Sequence, residues 1–264
     1  MNALAPSSSI WQGIEGIGEV LLIEETTTQL PAQVDPELET LVIPLLEDHI
    51  AGCPSDWPRL APSAVALKTL RDKSEFARFS REQHLTDLCP EVYSAENPRA
   101  FPCILKVTSS NASHGVALAY SQDEVNALLL RAPWSDVPSV IQEFVEGSLE
   151  YVCHCVCKSG RIVWHAAYAY EVGARTIRLP GLQTSPFRVT NRQLKEFERF
   201  LRPLSYDGPC NIDYKIRPNG RTAIFEINPR LGGSLMLPSN QGDLRAALRS
   251  IISTFLSRSA LQQR

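Results

Sequence analysis

The stretch from Pro209 to Gly233 constrains the fold more than any other part of this chain. Asn219-Gly220 is the strongest short hairpin signal there is, because both residue types tolerate positive φ. With those two as the loop, Pro218 faces Arg221, and counting outward sets Asp213 opposite Glu226 and Asn211 opposite Asn228. Ile212, Tyr214 and Ile216 then face Ile227, Phe225 and Ala223, an apolar face that belongs in a core. The other face holds two carboxylates with Cβ atoms about 5 Å apart, which is destabilising unless something positive compensates. Mg²⁺ fits that need, since hard cations take oxygen ligands, and Asn228 adds a third oxygen on the same side. Arg230, two residues on, reaches an anion on that face. The plainer reading is a solvated hairpin whose acids pair with Lys215 or Arg217.

The rest of the composition sets broad limits. With 264 residues the chain makes one large or two small domains and is long enough to bury a core. A hydrophobic fraction of 44% with 21% charged residues argues against disorder, collagen-like repeats and coiled coil. A net charge of −3 leaves no broad basic field for nucleic acid. No apolar run approaches the roughly 18 residues of a membrane helix. Met1 to Ser9 has neither Lys nor Arg and no long apolar stretch, so no signal peptide is expected. Seven cysteines without a disulfide framework point to reduced thiols and the cytoplasm.

Regular elements are readable from about residue 61. Ser63–Leu70 and Asp72–His84 read as helices, with Asp72 as N-cap. Pro102–Val107 and Val140–Val145 read as apolar strands. Ser121 with Glu124, and Thr190 with Gln193, form capping boxes that open helices. Tyr151–Cys157 and Arg161–Tyr170 are strands joined by Lys158–Gly160. Asp243 reads as the N-cap of a last helix with the apolar stripe Leu244, Ala247, Leu248, Ile251, Ile252, Phe255 and Leu256. Before residue 61 the reading is sparse. Gly13, Gly16 and Gly18 precede the apolar run Val20–Ile23 as a turn before a strand, Thr26 to Pro36 is loop, and Leu41–Leu46 is a short strand followed by Glu47. Helices mixed with hairpins indicate an α+β fold rather than a doubly wound sheet. Cys153, Cys155 and Cys157 alternate on their strand with His154 on the opposite face, which splits any zinc site. No nucleophile elbow is present.

Glu226-Ile227-Asn228-Pro229-Arg230-Leu231-Gly232-Gly233-Ser234, preceded by Asn211-Ile212-Asp213-Tyr214-Lys215, resembles the metal-binding end of the ATP-grasp superfamily, most closely its carboxylate–amine ligase branch. The resemblance spans about residues 61–240. It implies two α+β subdomains enclosing a nucleotide cleft, at residues 61–146 and 147–264, after a short N-terminal α/β remnant at 1–60. By this resemblance Asp213, Glu226 and Asn228 hold Mg²⁺, with Mn²⁺ as a substitute, and Arg230 steadies an acyl phosphate or tetrahedral intermediate. Lys73 and Lys106 take the ATP phosphates. The loop 108–115 covers them with Ser113 and His114, although Gly115 is its only glycine. Glu143 accepts from the adenine amino group, the backbone of Phe144 and Val145 reads the ring edge, and Glu150 binds the ribose hydroxyls. Arg175, Arg178 and Arg188, near Gly173 and Gly181, are candidates for the acid-substrate pocket.

The implied activity is an ADP-forming ligase that joins a small-molecule carboxylate to an amine, with neither nucleic acid nor membrane as partner. A bicarbonate-using carboxylase or carbamoyl-phosphate-type enzyme is one alternative, and a non-catalytic ATP-binding module acting with a partner is another. The short N-terminal segment suggests that a homodimer or a partner subunit completes the substrate site.

Overall fold

The computed structural model describes residues 2–4, 21–23, 40–108, 115–173, 178 and 182–256. Three short parallel strands, β1 (Asn2–Leu4), β2 (Leu21–Ile23) and β3 (Val42–Pro44), form a sheet in the order β2-β1-β3. The six-residue helix α1 (Glu47–Gly52) follows. Sequence patterning held no sign of it, because six residues carry less than two helical turns of periodicity. Two capped helices come next. Ser63 accepts from the Ala66 amide ahead of α2 (Ala64–Arg71), and Asp72 accepts from the Ser74 and Glu75 amides ahead of α3 (Lys73–Glu82).

A four-stranded antiparallel sheet is built from β4 (Val92–Tyr93), β5 (Cys103–Val107), β6 (Val116–Ala119) and β7 (Ser139–Glu143), in the order β4-β7-β5-β6. The helix α4 (Gln122–Leu129) buries Val125 against it. Its capping box is only half formed. Ser121 accepts from the Glu124 amide, but the Glu124 carboxylate accepts from Tyr120 N–H instead of the Ser121 N–H. The box at Thr190 and Gln193 is complete.

The largest sheet is antiparallel and carries the signature residues. Its strands are β8 (Leu149–Lys158), β9 (Arg161–Glu171), β10 (Thr184–Phe187), β11 (Gly208–Ile216) and β12 (Thr222–Asn228), in the order β10-β9-β8-β11-β12. Period two sorts its residues. Cys153, Cys155, Cys157, Ile212 and Tyr214 face one core with Phe76, Phe79 and the helix α5 (Asn191–Leu201), whose Phe197 and Phe200 are fully buried. Val152, Val156 and Tyr168 face another with α6 (Gln241–Phe255). The thiols are all free, so apolar burial and not cross-linking holds this sheet. Leu41, Ile43, Leu45 and Leu60 enter the second core, so the N-terminal segment packs on the same face as α6. Asp243 is not the N-cap of α6. Asn240 occupies that position, and the Asp243 carboxylate accepts from the Tyr168 hydroxyl at 2.6 Å. Among the described residues no helix is long and apolar enough to cross a membrane.

Candidate functional site

The β11–β12 hairpin delivers the expected pairs by a different route. Arg217 faces Arg221 across three loop residues, with Gly220 N–H donating to Arg217 O, and only Gly220 takes positive φ, at 75°. Asn219 keeps negative φ and caps the turn through its side chain, accepting from Arg221 N–H. The register therefore runs one residue off near the turn, with Tyr214 opposite Ile224 and Ile216 opposite Thr222. A β-bulge between Asp213 and Tyr214 restores it, so Asp213 does face Glu226, Ile212 faces Ile227 and Asn211 faces Asn228. Phe225 is the extra residue of the bulge. Ile224 takes the core place expected for Phe225, and the Phe225 ring lies 5.1 Å from Lys106 Nζ in the other sheet's β5.

Asp213 is only 4% exposed, so the solvated-hairpin reading does not describe it. Lys215 and Arg217 do not pair with the hairpin acids either. Compensation comes from two other donors. Asn228 Nδ2 sits 3.2 Å from Asp213 Oδ2, 3.3 Å from Glu226 Oε1 and 3.2 Å from Asn211 Oδ1. Arg178 Nη1 lies 2.8 Å from Asp213 Oδ1 and 3.1 Å from Glu150 Oε1, with its guanidinium over the Tyr170 ring at 4.7 Å. Burial works against the charge of Arg178, but Asp213 and Glu150 outweigh it and hold the guanidinium above its ordinary pKa. Glu150 is pushed up, mainly by burial, with Arg178 opposing.

Lys106 is buried at the end of β5. Burial depresses its pKa, while Glu226, Glu150 and Asp213 act to raise it and Lys73 adds to the depression. Five of the expected residues thus share one electrostatic environment between the two antiparallel sheets. Lys215, two residues beyond Asp213 and on the same face, is a joint that sequence reasoning did not assign. Its ammonium donates to Val145 O at 3.1 Å and Gly147 O at 3.0 Å and stands 5.1 Å over the Phe144 ring. Period two alone placed it beside Asp213, but nothing local showed what it reaches. Glu143 makes a second joint. Both its oxygens pair with Arg217, and Oε2 also accepts from Glu91 N–H. Lys73, Val140, Glu143, Arg217 and Phe225 line a cavity of about 740 Å³.

At the far end of β12, Arg230 Nε donates to Glu47 Oε1 at 2.9 Å. Asn211 Nδ2 donates to the Arg230 carbonyl, tying this loop to the row of carboxylates. Nearby His154 is buried, with Nε2 2.8 Å from Ser234 Oγ. Burial, then the charges of Arg178 and Arg230, depress it to about 3, so it is neutral. A Cβ on Gly232 would lie 2.5 Å from His154 Cε1, which explains glycine there. Among the described residues no group of three or more His, Cys, Asp or Glu is arranged to hold a metal. Two carboxylates plus an amide are nevertheless the hard donor set that Mg²⁺ prefers. Turning the Asn228 amide by half a revolution puts its oxygen where Nδ2 now stands, so the residues fit the ion. Ser113, His114, Arg175, Gly181 and the early glycines Gly13, Gly16 and Gly18 lie outside the described residues. Arg188 is described but enters none of these contacts.

A scan with family models finds no match for this sequence, and a search of curated proteins finds none either. Solved structures do match. The D-alanine–D-alanine ligase from Bacillus anthracis complexed with ATP aligns over 100% of this chain and 98% of its own, at TM-score 0.65 and 15% identity. The N5-carboxyaminoimidazole synthase from Aspergillus clavatus, in complex with ADP and 5-aminoimidazole ribonucleotide, aligns over 96% and 76%, at 0.66 and 12%. Biotin carboxylase from Campylobacter jejuni aligns over 78% and 54%, at 0.57 and 14%. These neighbours are ATP-grasp proteins, and this chain has the ATP-grasp fold.

Proposed function

We propose that this chain is an ATP- and Mg²⁺-dependent ligase that activates a carboxylate as an acyl phosphate and couples it to an amine. The observation that carries this reading is that Lys106 of one sheet and Glu150, Asp213 and Glu226 of the other lie close enough to act on one another's charge where the sheets meet, with the Phe225 ring 5.1 Å from Lys106 Nζ. Structural neighbours solved with ATP and with ADP support a nucleotide at this meeting of the sheets. Asp213, Glu226 and the amide oxygen of Asn228 would hold Mg²⁺, which supplies charge neutralisation on phosphate oxygens. Lys106 and Lys73 bring further positive charge to the phosphates. The buried stem of Lys106 fixes its ammonium, so less ordering is needed when phosphate arrives.

In the reaction a carboxylate oxygen of the substrate attacks the γ-phosphorus and the bond to the β–γ bridging oxygen breaks, releasing ADP. The amine nitrogen then attacks the acyl carbon, inorganic phosphate leaves, and a proton departs from nitrogen. Arg230 presents N–H groups to the oxyanion of the second step. Glu150 takes the ribose hydroxyls once Arg178 is displaced from it. Glu143 enters as a joint between sheets, and its adenine contact would use the one Oε1 lone pair that Arg217 and Glu91 leave open. The N-terminal segment reaches this site through Glu47, which accepts from Arg230 Nε.

The test is ADP release across a panel of amino acids and amines, with and without Mg²⁺. Glu226→Gln should abolish Mg²⁺-dependent turnover while the melting temperature stays nearly unchanged. Turnover at the wild-type rate in that variant sinks the metal assignment. Wild-type protein that binds ATP but releases no ADP with any pair would be the non-catalytic module instead.

A further inference from the structure

We propose that Glu47 is a positioning residue that fixes the guanidinium of Arg230, making the N-terminal segment a working part of the site. This rests on the ligase reading for its consequence, but not for its geometry. Glu47 is 4% exposed and lies 183 residues from Arg230 in sequence. A buried carboxylate without a partner is costly, and Arg230 supplies one at 2.9 Å. The platform under Glu47 is buried. Leu41, Ile43 and Leu45 just before it pack in one core with Leu231 and Leu235, which follow Arg230.

Arg230 is held at four points. Its Nε donates to Glu47, its Nη1 to Leu231 O at 3.3 Å, its backbone N–H to Asn228 O at 2.8 Å, and its carbonyl accepts from Asn211 Nδ2 at 3.2 Å. A guanidinium has five N–H donors. Among the described residues two are used by these side-chain contacts. The remaining three lie on Nη1 and Nη2, the pair whose parallel N–H bonds match an oxyanion or phosphate. Glu47 therefore acts through Arg230: it takes the Nε edge and leaves the terminal fork for the anion. Without it the long side chain regains its rotamers, and positioning losses of this kind cost about 100-fold in rate.

Two measurements on the full chain test this. The first needs no substrate: phenylglyoxal modification of Arg230, followed by peptide mass spectrometry. Glu47→Gln should speed labelling of Arg230 several-fold, with labelling of exposed Arg161 unchanged as the control. The second is kinetic. Glu47→Gln should lower kcat about 10- to 100-fold with little change in the KM for ATP, and Glu47→Asp should recover part of the loss. Should Glu47→Gln fail to fold, Glu47→Asp is read in its place, with a smaller rise in labelling expected. Equal labelling rates in wild type and variant overturn the positioning role. A kcat left within twofold of wild type overturns its catalytic consequence. A wild type silent with every acid–amine pair overturns the ligase reading alone, and the labelling result still stands.

Discussion

Arg178→Met removes a charge while keeping most of the side-chain volume, and its effect can be sized from the geometry. The guanidinium stands 2.8 Å from Asp213 and 3.1 Å from Glu150. At an effective dielectric near 20, each contact is an attraction of about 5–6 kcal/mol. Desolvation of all three groups offsets most of that, and breaking a buried pair costs about 3–5 kcal/mol in practice. The Arg178 side chain is 25% exposed, which puts the loss at the lower end, about 3 kcal/mol. At about 2–4 °C per kcal/mol for a chain of this size, the melting temperature at pH 7 falls by about 6–12 °C.

The pH dependence fixes the cause. Burial already holds the Glu150 pKa above its ordinary 4.5, and losing Arg178 pushes it higher. An acid with a raised folded pKa binds more protons in the native state than in the unfolded one. Its contribution is then worst at neutral pH and recovers as pH falls into the window between the unfolded and folded values. The gap between variant and wild type should narrow as pH drops from 7 toward 5. Thermal melts followed by far-ultraviolet circular dichroism at both pH values read this directly. A drop under 2 °C at pH 7, or a gap that widens on acidification, refutes the bridge.

Two further substitutions probe the frame of the site. Gly232→Ala would put a methyl 2.5 Å from His154 Cε1 and 3.0 Å from Asn211 Cγ, both buried, so overpacking should cost about 1–3 kcal/mol, read as a lower urea midpoint at unchanged slope. Lys215→Met removes the ammonium that joins Val145 O and Gly147 O, which should cost about 1.5–3 kcal/mol and speed amide exchange across residues 144–150. An unchanged exchange pattern would show that the joint does not couple β11 to the segment after β7.

What local sequence determines is whatever two or three neighbouring residues decide between themselves. Ser63, Asp72 and the Thr190–Gln193 box start helices where their side-chain oxygens meet free amides, and the structure starts them there. Period two split Cys153, Cys155 and Cys157 from His154. The signature order made the fold class legible. Where two local rules competed, the reading failed. Asn219-Gly220 favours a two-residue loop, but the three-residue loop and the later bulge cancel in register. The cancellation leaves the acids in place and moves Phe225 from the core to Lys106. Only the tertiary structure decided who neutralises those acids. Arg178 is 35 residues from Asp213, and Glu47 is 183 from Arg230. No periodicity or capping rule reaches that far. Such partners are chosen by burial, because a charge taken out of water must end beside an opposite one, and folding alone determines which lies near enough.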